Sequence, residues 1–205
     1  MQHIGTRTIE TERLILRRFT MEDAPAMFRN WVNDPEVTKF LTWPPHGEIS
    51  VTENVLRSWV DSYAKDDYYQ WAIVPKALGE PIGSIAVVDC DPEDGAAEIG
   101  YCIGRAWWRQ GYTSEALSAV ISELMQHADC LVITARHDPH NPNSGAVMRK
   151  CGMTRLGVRH GDHNNQGECV LLLLQSLLLP LPTDSYLSLL LHRKILWYKN
   201  HRMPR

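Results

Sequence analysis

A chain of 205 residues with a formal charge of −3 and a pI near 6.3 suits one domain with a core of its own and is short for two. That charge balance lacks the concentrated basic surface that phosphate-backbone affinity requires, which argues against a nucleic-acid partner. Five cysteines without a C-x-x-C pair indicate neither a zinc site nor a disulfide framework, so no metal is expected and reduced thiols fit a cytoplasmic setting.

Met1 to Glu10 has no apolar stretch of the kind a signal peptide needs. From Arg13 to Phe19, Leu14 and Leu16 alternate at period two and predict a strand. Thr20, with Asp23 three residues on, predicts an N-cap and a helix through about Trp31, ended by Asn33-Asp34-Pro35. Ser50 and Glu53 form a capping-box pattern, followed by Val51, Val55, Trp59 and Tyr63 at helical spacing. Tyr68–Val74, Pro81–Asp89 and Ala97–Gly104 are separated by short turn-rich segments and predict an antiparallel meander. Ala116, Val120 and Leu124 predict a helix from Tyr112 to about His127. Beyond it come a buried strand at Leu131–Ala135, a short helix at Asn143–Cys151 and strands at Met153–Arg159 and Glu168–Leu174, around a polar turn at His160–Gly167. The apolar run Val170–Leu181 is interrupted by Gln175, Ser176 and Pro180, well short of the ~20 residues a span requires, and reads as a buried strand followed by irregular chain. The order describes an α/β sandwich with a mixed sheet. Residues 1–175 form the expected domain; 176–205 are a Leu-rich and basic tail without a structural assignment.

The segment Trp107-Trp108-Arg109-Gln110-Gly111-Tyr112-Thr113-Ser114-Glu115-Ala116 joins an apolar strand to an amphipathic helix. Such a junction aims unpaired backbone N–H groups and the positive helix end at one point, where phosphate binds. Gly111 permits close backbone approach, Thr113 and Ser114 offer hydroxyls, and Arg109 offers charge; an ordinary strand-to-helix turn containing one glycine is the competing reading.

Glu98-Ile99-Gly100-Tyr101, the Trp108–Ala116 run, Asn141-Pro142-Asn143-Ser144 and Cys151-Gly152-Met153, in that order, resemble the GNAT acetyltransferases. More narrowly they are similar to the RimJ/RimL-type ribosomal-protein N-acetyltransferase branch, from Thr11-Glu12-Arg13-Leu14 to about Gly167. The resemblance implies a GNAT-type mixed, mostly antiparallel sheet flanked by helices, with a splayed central strand pair, and acetyl-CoA as co-substrate. It implies that Trp108, Arg109, Gln110, Gly111, Tyr112, Thr113 and Ser114 cradle the pyrophosphate, with Trp108 where Gln or Arg is usual and Thr113 in place of the last small residue. It also implies that the strand ending near Ile103 binds the pantetheine arm.

Acetyl transfer needs a neutral amine, a polarised thioester carbonyl and a proton for the leaving thiolate. On the resemblance, Glu98 is the candidate general base, directly or through water; a solvated carboxylate or a substrate-amine anchor are its other readings. Asn141 supports CoA or caps a helix. Ser144 protonates the thiolate or satisfies backbone donors, and with no tyrosine between Tyr112 and Tyr186 the step falls to Ser144 or water. Phe40 and Trp43 border the acceptor site on the same ground. Two histidine clusters, at 137–140 and 160–163, sit in turn-like segments and are not read as metal ligands.

The branch points to a peptide or protein N-terminal α-amine. With a pKa of about 7.8, roughly one α-amine in seven is neutral at pH 7, against about one lysine in several thousand. A small-molecule amine and a non-catalytic acyl-CoA-binding module are the alternatives, and the assembly state, a homodimer included, stays open.

Overall fold

The computed structural model describes residues 1–163 and 169–178, with side chains through residue 157. Eight strands form one sheet in the order β1-β2-β3-β4-β5-β6-β8-β7. They are β1 (Ile9–Glu10), β2 (Leu14–Arg17), β3 (Gln70–Pro75), β4 (Gly83–Asp91), β5 (Ala96–Ile103), β6 (Val132–His137), β7 (Thr154–His163) and β8 (Cys169–Leu178). Every neighbouring pair is antiparallel except β5 and β6. The mixed, mostly antiparallel sheet and the meander are as expected.

Period-two alternation sorts the strand side chains between two helical layers. Leu14, Leu16, Trp71, Ile73, Ile85, Ile99 and Ile103 pack with α4 (Tyr112–His127) and α5 (Pro142–Lys150) through Leu117, Val120, Leu124 and Met148. Their neighbours Ile15, Ala72, Val74 and Cys102 turn the other way, onto a second core of Phe19, Met27, Trp31 and Leu56. That core belongs to α1 (Ala24–Met27), α2 (Pro35–Thr38) and α3 (Ile49–Ser62).

The helix expected from Thr20 to Trp31 is instead three pieces. A 3₁₀ turn, Met21–Asp23, leads into α1, and α1 into a π turn, Phe28–Val32. Thr20 N–H does donate to Asp23 Oδ2 at 2.9 Å, so the entry signal is real. The widening follows from contacts a periodic pattern does not encode: the Asn30 amide reaches Glu80 and the Pro81 carbonyl, and the Asn30 carbonyl lies against Gly104. Asn33-Asp34-Pro35 ends one helix by starting another, since Asp34 Oδ1 accepts from Glu36 N and caps α2. The Ser50 capping box is corrected too: α3 starts at Ile49 after an extended Glu48, which places Ser50 inside its first turn.

At the far edge, β8 lies between β6 and β7 and is paired on both sides. It runs to Leu178, past the expected strand end at Leu174 and the domain boundary at 175, because Gln175 and Ser176 continue the ladder with Ala135 and Thr134. β7 continues to His163, into the stretch expected as a polar turn, because its pairing with β8 reaches His163↔Cys169. The rest of that turn and residues 179–205 lie outside the described residues. No helix among the described residues is long and apolar enough to cross a membrane.

Trp31 and Trp71 are both fully buried, yet only Trp71 has a partner for its indole, donating to the Arg7 carbonyl at 2.7 Å. Trp31 Nε1 has none among the described residues. An unpaired buried donor costs ~1–3 kcal/mol, so Trp71→Phe is expected to lose about that much more stability than Trp31→Phe in urea unfolding.

Candidate active site

β5 and β6 are joined only through Ala96↔Val132, Ala97↔Ile133 and Glu98↔Thr134, although β5 continues to Ile103 and β6 to His137. The two strands therefore part just beyond Glu98. Antiparallel alternation fixes what faces the gap. Gly104 N–H bonds the Ile82 carbonyl on the β4 side, so the backbone groups of Tyr101 and Ile103 point away from β4, into the opening. This is the splayed pair of the expectation, and it leaves the stretch of β5 beyond Glu98 without a β6 partner.

Past Ile103 a 3₁₀ turn, Arg105–Trp107, leads to the loop before α4. Arg109 and Gly111 both have left-handed backbones, with φ of 61° and 84°. They lead directly into α4, whose first N–H groups have no helical acceptor. Several loop side chains brace the loop itself. Trp108 Nε1 donates to the Ile103 carbonyl at 2.9 Å, Gln110 Nε2 to the Ala106 carbonyl at 2.8 Å and Ser114 Oγ to the Gly111 carbonyl at 3.0 Å. Ser114 thus spends its proton on its own loop rather than offering it outward.

A clasp that sequence reasoning missed holds this junction from the far side of the sheet. Glu115 accepts from Thr11 Oγ1 at 2.6 Å, Arg13 N at 3.0 Å and Arg13 Nε at 2.7 Å. Arg13 also donates to the Gln110 carbonyl at 3.0 Å, and its guanidinium lies 4.5 Å from the Tyr112 ring centroid. Burial works to raise the Glu115 carboxyl, but hydrogen bonds from Thr11 and Arg13 and the guanidinium charge outweigh it and hold the pKa below the usual value. A Cβ on Gly111 would stand 3.3 Å from Arg13 Nη2 and 3.9 Å from Lys150 Nζ, so two cations flank the loop at its glycine. An acid in the first turn of a helix was a readable dipole signal; its partners 102 and 104 positions away were not.

Glu98, the last residue of β5 paired with β6, is 9 % exposed. It alternates with Cys102 onto the α1–α3 face, and its Oε1 takes both Nε and Nη2 of Arg136 at 2.6 Å. The solvated-carboxylate reading is thereby corrected, because the group is nearly enclosed and ion-paired across the fork. Val88, bulged out of β4, covers Gly100 on this face and is 58 % exposed. Trp43 packs on the core of the same layer and stacks on His46 with centroids 5.5 Å apart, and Lys39 Nζ lies 5.5 Å from the half-buried Phe40 ring.

Asn141 Oδ1 accepts from Ser144 N at 3.3 Å, so the helix-capping role is the one its oxygen performs. Ser144 meets a residue outside the expected set: the Tyr101 hydroxyl lies 2.9 Å from the Ser144 carbonyl and 3.1 Å from its Oγ. Alternation with Ile99 and Ile103 is the sequence signal that turns Tyr101 to this face, and it lies upstream of Tyr112. Among the described residues no group of His, Cys, Asp and Glu is disposed to hold a metal.

A sheet with one parted strand pair, and a left-handed loop leading from the parted strand into a helix, point to an acyl-transferase architecture. The Acetyltransferase (GNAT) domain family matches residues 13–154. The uncharacterized N-acetyltransferase p20 of Bacillus licheniformis is 30% identical over 171 residues, covering 83% of this chain and 96% of that one. The [Ribosomal protein uS5]-alanine N-acetyltransferase of Escherichia coli is 34% identical over 62 residues, 30% of this chain and 32% of that one. Among solved structures, RimL, a ribosomal L7/L12 α-N-protein acetyltransferase in complex with coenzyme A, superposes with a TM-score of 0.75 at 19% identity, covering 84% of this chain and 98% of that one. The chain belongs to the GNAT acetyltransferases and is an N-acetyltransferase.

Proposed function

We propose that this enzyme transfers the acetyl group of acetyl-CoA to a primary amine, the α-amine of a peptide or protein N-terminus. The observation that carries the reading is the parting of β5 from β6 beyond Glu98, with the chain running on from β5 into the cationic, left-handed loop at Gly111. Acetyl-CoA supplies an activated acyl group on a good leaving thiol. The chain's residues do the rest: amides of the first α4 turn with Arg13 and Lys150 hold the diphosphate, and the free edge of β5 at Tyr101 and Ile103 orients the arm.

As the N–C bond forms and the C–S bond breaks, the nitrogen gives up one proton and the thiolate gains one. In this reading Glu98 takes the first through water, with Arg136 fixing the carboxylate, and Ser144 provides the hydrogen bond for the second. Phe40, Trp43 and Val88 are the apolar side chains this reading assigns to the first residue of an acceptor. The α-amine is supported by the titration argument and by two similar proteins, one named for a ribosomal-protein alanine and one for the α-N of ribosomal L7/L12.

The test is thermal stabilisation by acetyl-CoA, CoA and an unrelated nucleotide, followed by thiol release over a panel of N-terminal peptides and small amines. Selective stabilisation and turnover with peptides is the expected result. Stabilisation without release for any amine would make the chain a binding module. Glu98→Gln is expected to lower kcat by about 10²-fold or more with CoA stabilisation retained; full activity would remove Glu98 from the mechanism.

A further inference from the structure

We infer that Tyr101 is a positioning residue for the acyl-transfer step, spanning from the free edge of β5 to the first turn of α5 so that the Ser144 hydroxyl is held at the parted strands. The inference rests on the acetyl-transfer reading above and adds to it a residue, and a resting arrangement of protons.

Donor and acceptor chemistry fixes that arrangement. The Ser144 carbonyl can only accept, so the Tyr101 hydroxyl proton, 2.9 Å away, points to it. The contact between Tyr101 Oη and Ser144 Oγ at 3.1 Å then needs its proton from the serine, which donates to the phenol oxygen. At rest the serine proton is parked on Tyr101. When negative charge develops on sulfur, rotation about one bond turns the same proton toward it, and Tyr101 keeps its own bond to the carbonyl.

The phenol does not act as the net acid. Burial pushes its pKa far up, with the hydrogen bond to Ser144 a smaller opposing effect, so a phenolate in this position is disfavoured. The proton that ends on the thiol is the one released by the amine nitrogen, and the hydroxyl pair only orients and stabilises.

Helix α5 has little latitude on its other side. A Cβ on Gly145 would lie 2.5 Å from Nε2 of the buried His137 on β6. Its first turn is therefore set between close packing on β6 and the tyrosine reaching from β5. Asn141, which receives the Ser144 N–H, completes the fixation.

The experiment compares full-length wild type, Tyr101→Phe, Ser144→Ala and the double variant by steady-state kinetics with a peptide acceptor, and by amide hydrogen exchange. Tyr101→Phe should lower kcat about tenfold, leave the KM for acetyl-CoA within about twofold, and speed exchange at the Ser144 and Gly145 amides. Its effect should disappear in the Ser144→Ala background, since nothing is left to position. An unchanged kcat, additive losses in the double variant, or a loss confined to KM would each overturn the inference. An inactive wild type defeats the acetyl-transfer reading itself, a result distinct from an active wild type indifferent to Tyr101→Phe. In either case unaltered exchange at α5 would sink the positioning role.

Discussion

Gly104→Ala is expected to destabilise the protein by about 3 kcal/mol, at the upper end of the usual cost of overpacking. The backbone is not the cause, for Gly104 has φ of −59° and ψ of 143°, which alanine adopts readily. Space is the cause. An added Cβ would stand 2.3 Å from the Asn30 carbonyl oxygen and 2.8 Å from Cε3 and Cζ3 of Trp107. The first is main chain inside the π turn, held by Asn30 bonds to Glu80 and Pro81, and cannot swing aside as a side chain would. Relief requires α1 and the π turn to move off the loop that leads to Gly111. Gly79 provides the control: it has φ of 75° but nothing within 4 Å of an added Cβ, so alanine there incurs only left-handed strain of about 1 kcal/mol. Urea unfolding of both variants decides the matter, and equal losses would show that Asn30 yields. Because the displaced segment borders the cofactor loop, Gly104→Ala should also shrink the stabilisation by acetyl-CoA.

Glu115→Ala is expected to raise the KM for acetyl-CoA by roughly ten- to a hundredfold while leaving the fold intact. Removal of the carboxylate leaves Thr11 Oγ1, Arg13 N and the Arg13 guanidinium without their shared acceptor, and charge-assisted bonds of this kind are worth ~1.5–3 kcal/mol each at most. At 1.4 kcal/mol per tenfold, partial loss of that set accounts for the range. An opposing effect exists, since Arg13 then adds an unneutralised positive charge beside Gly111. Should KM fall instead, charge attraction outweighs loop geometry and the clasp is not what shapes the cradle. The carboxyl also carries a pH signature. Its folded pKa lies below its unfolded value, so its contribution is full above the unfolded pKa and is lost as pH falls through the folded one. Wild type and Glu115→Gln should therefore differ in stability near neutrality and converge as pH falls from the ordinary glutamate pKa of about 4.3 through the lower folded one.

Local patterns predicted local structure well. The α4 helix, the meander and the loop before α4 were legible because their signals lie within a few residues: fourfold apolar spacing, turn clusters between alternating strands, and a glycine at a strand-to-helix junction. Parting of β5 from β6 entered through family resemblance, since no single-strand pattern records where a neighbour stops pairing. What stayed hidden depends on chain distant in sequence. The π turn at Phe28–Val32 is shaped by residues 50 or more positions on, and the Tyr101–Ser144 bridge spans 43. The pairing of Glu98 with the Arg136 guanidinium on the adjoining strand is likewise invisible locally, and it makes the group an enclosed ion pair rather than an open carboxylate.

The placement of β8 between β6 and β7 has a consequence for synthesis. Strand β6, which walls one side of the opening, gains its second hydrogen-bonded neighbour only from residues 169–178. A nascent chain emerging from the ribosome can close the β2-to-β5 meander early, but β6 must wait for residues 169–178 to clear the exit tunnel before it is paired on both sides. Until then β6 and β7 offer unpaired edges to other chains, so expression at lower temperature, which slows misassembly, should favour soluble enzyme.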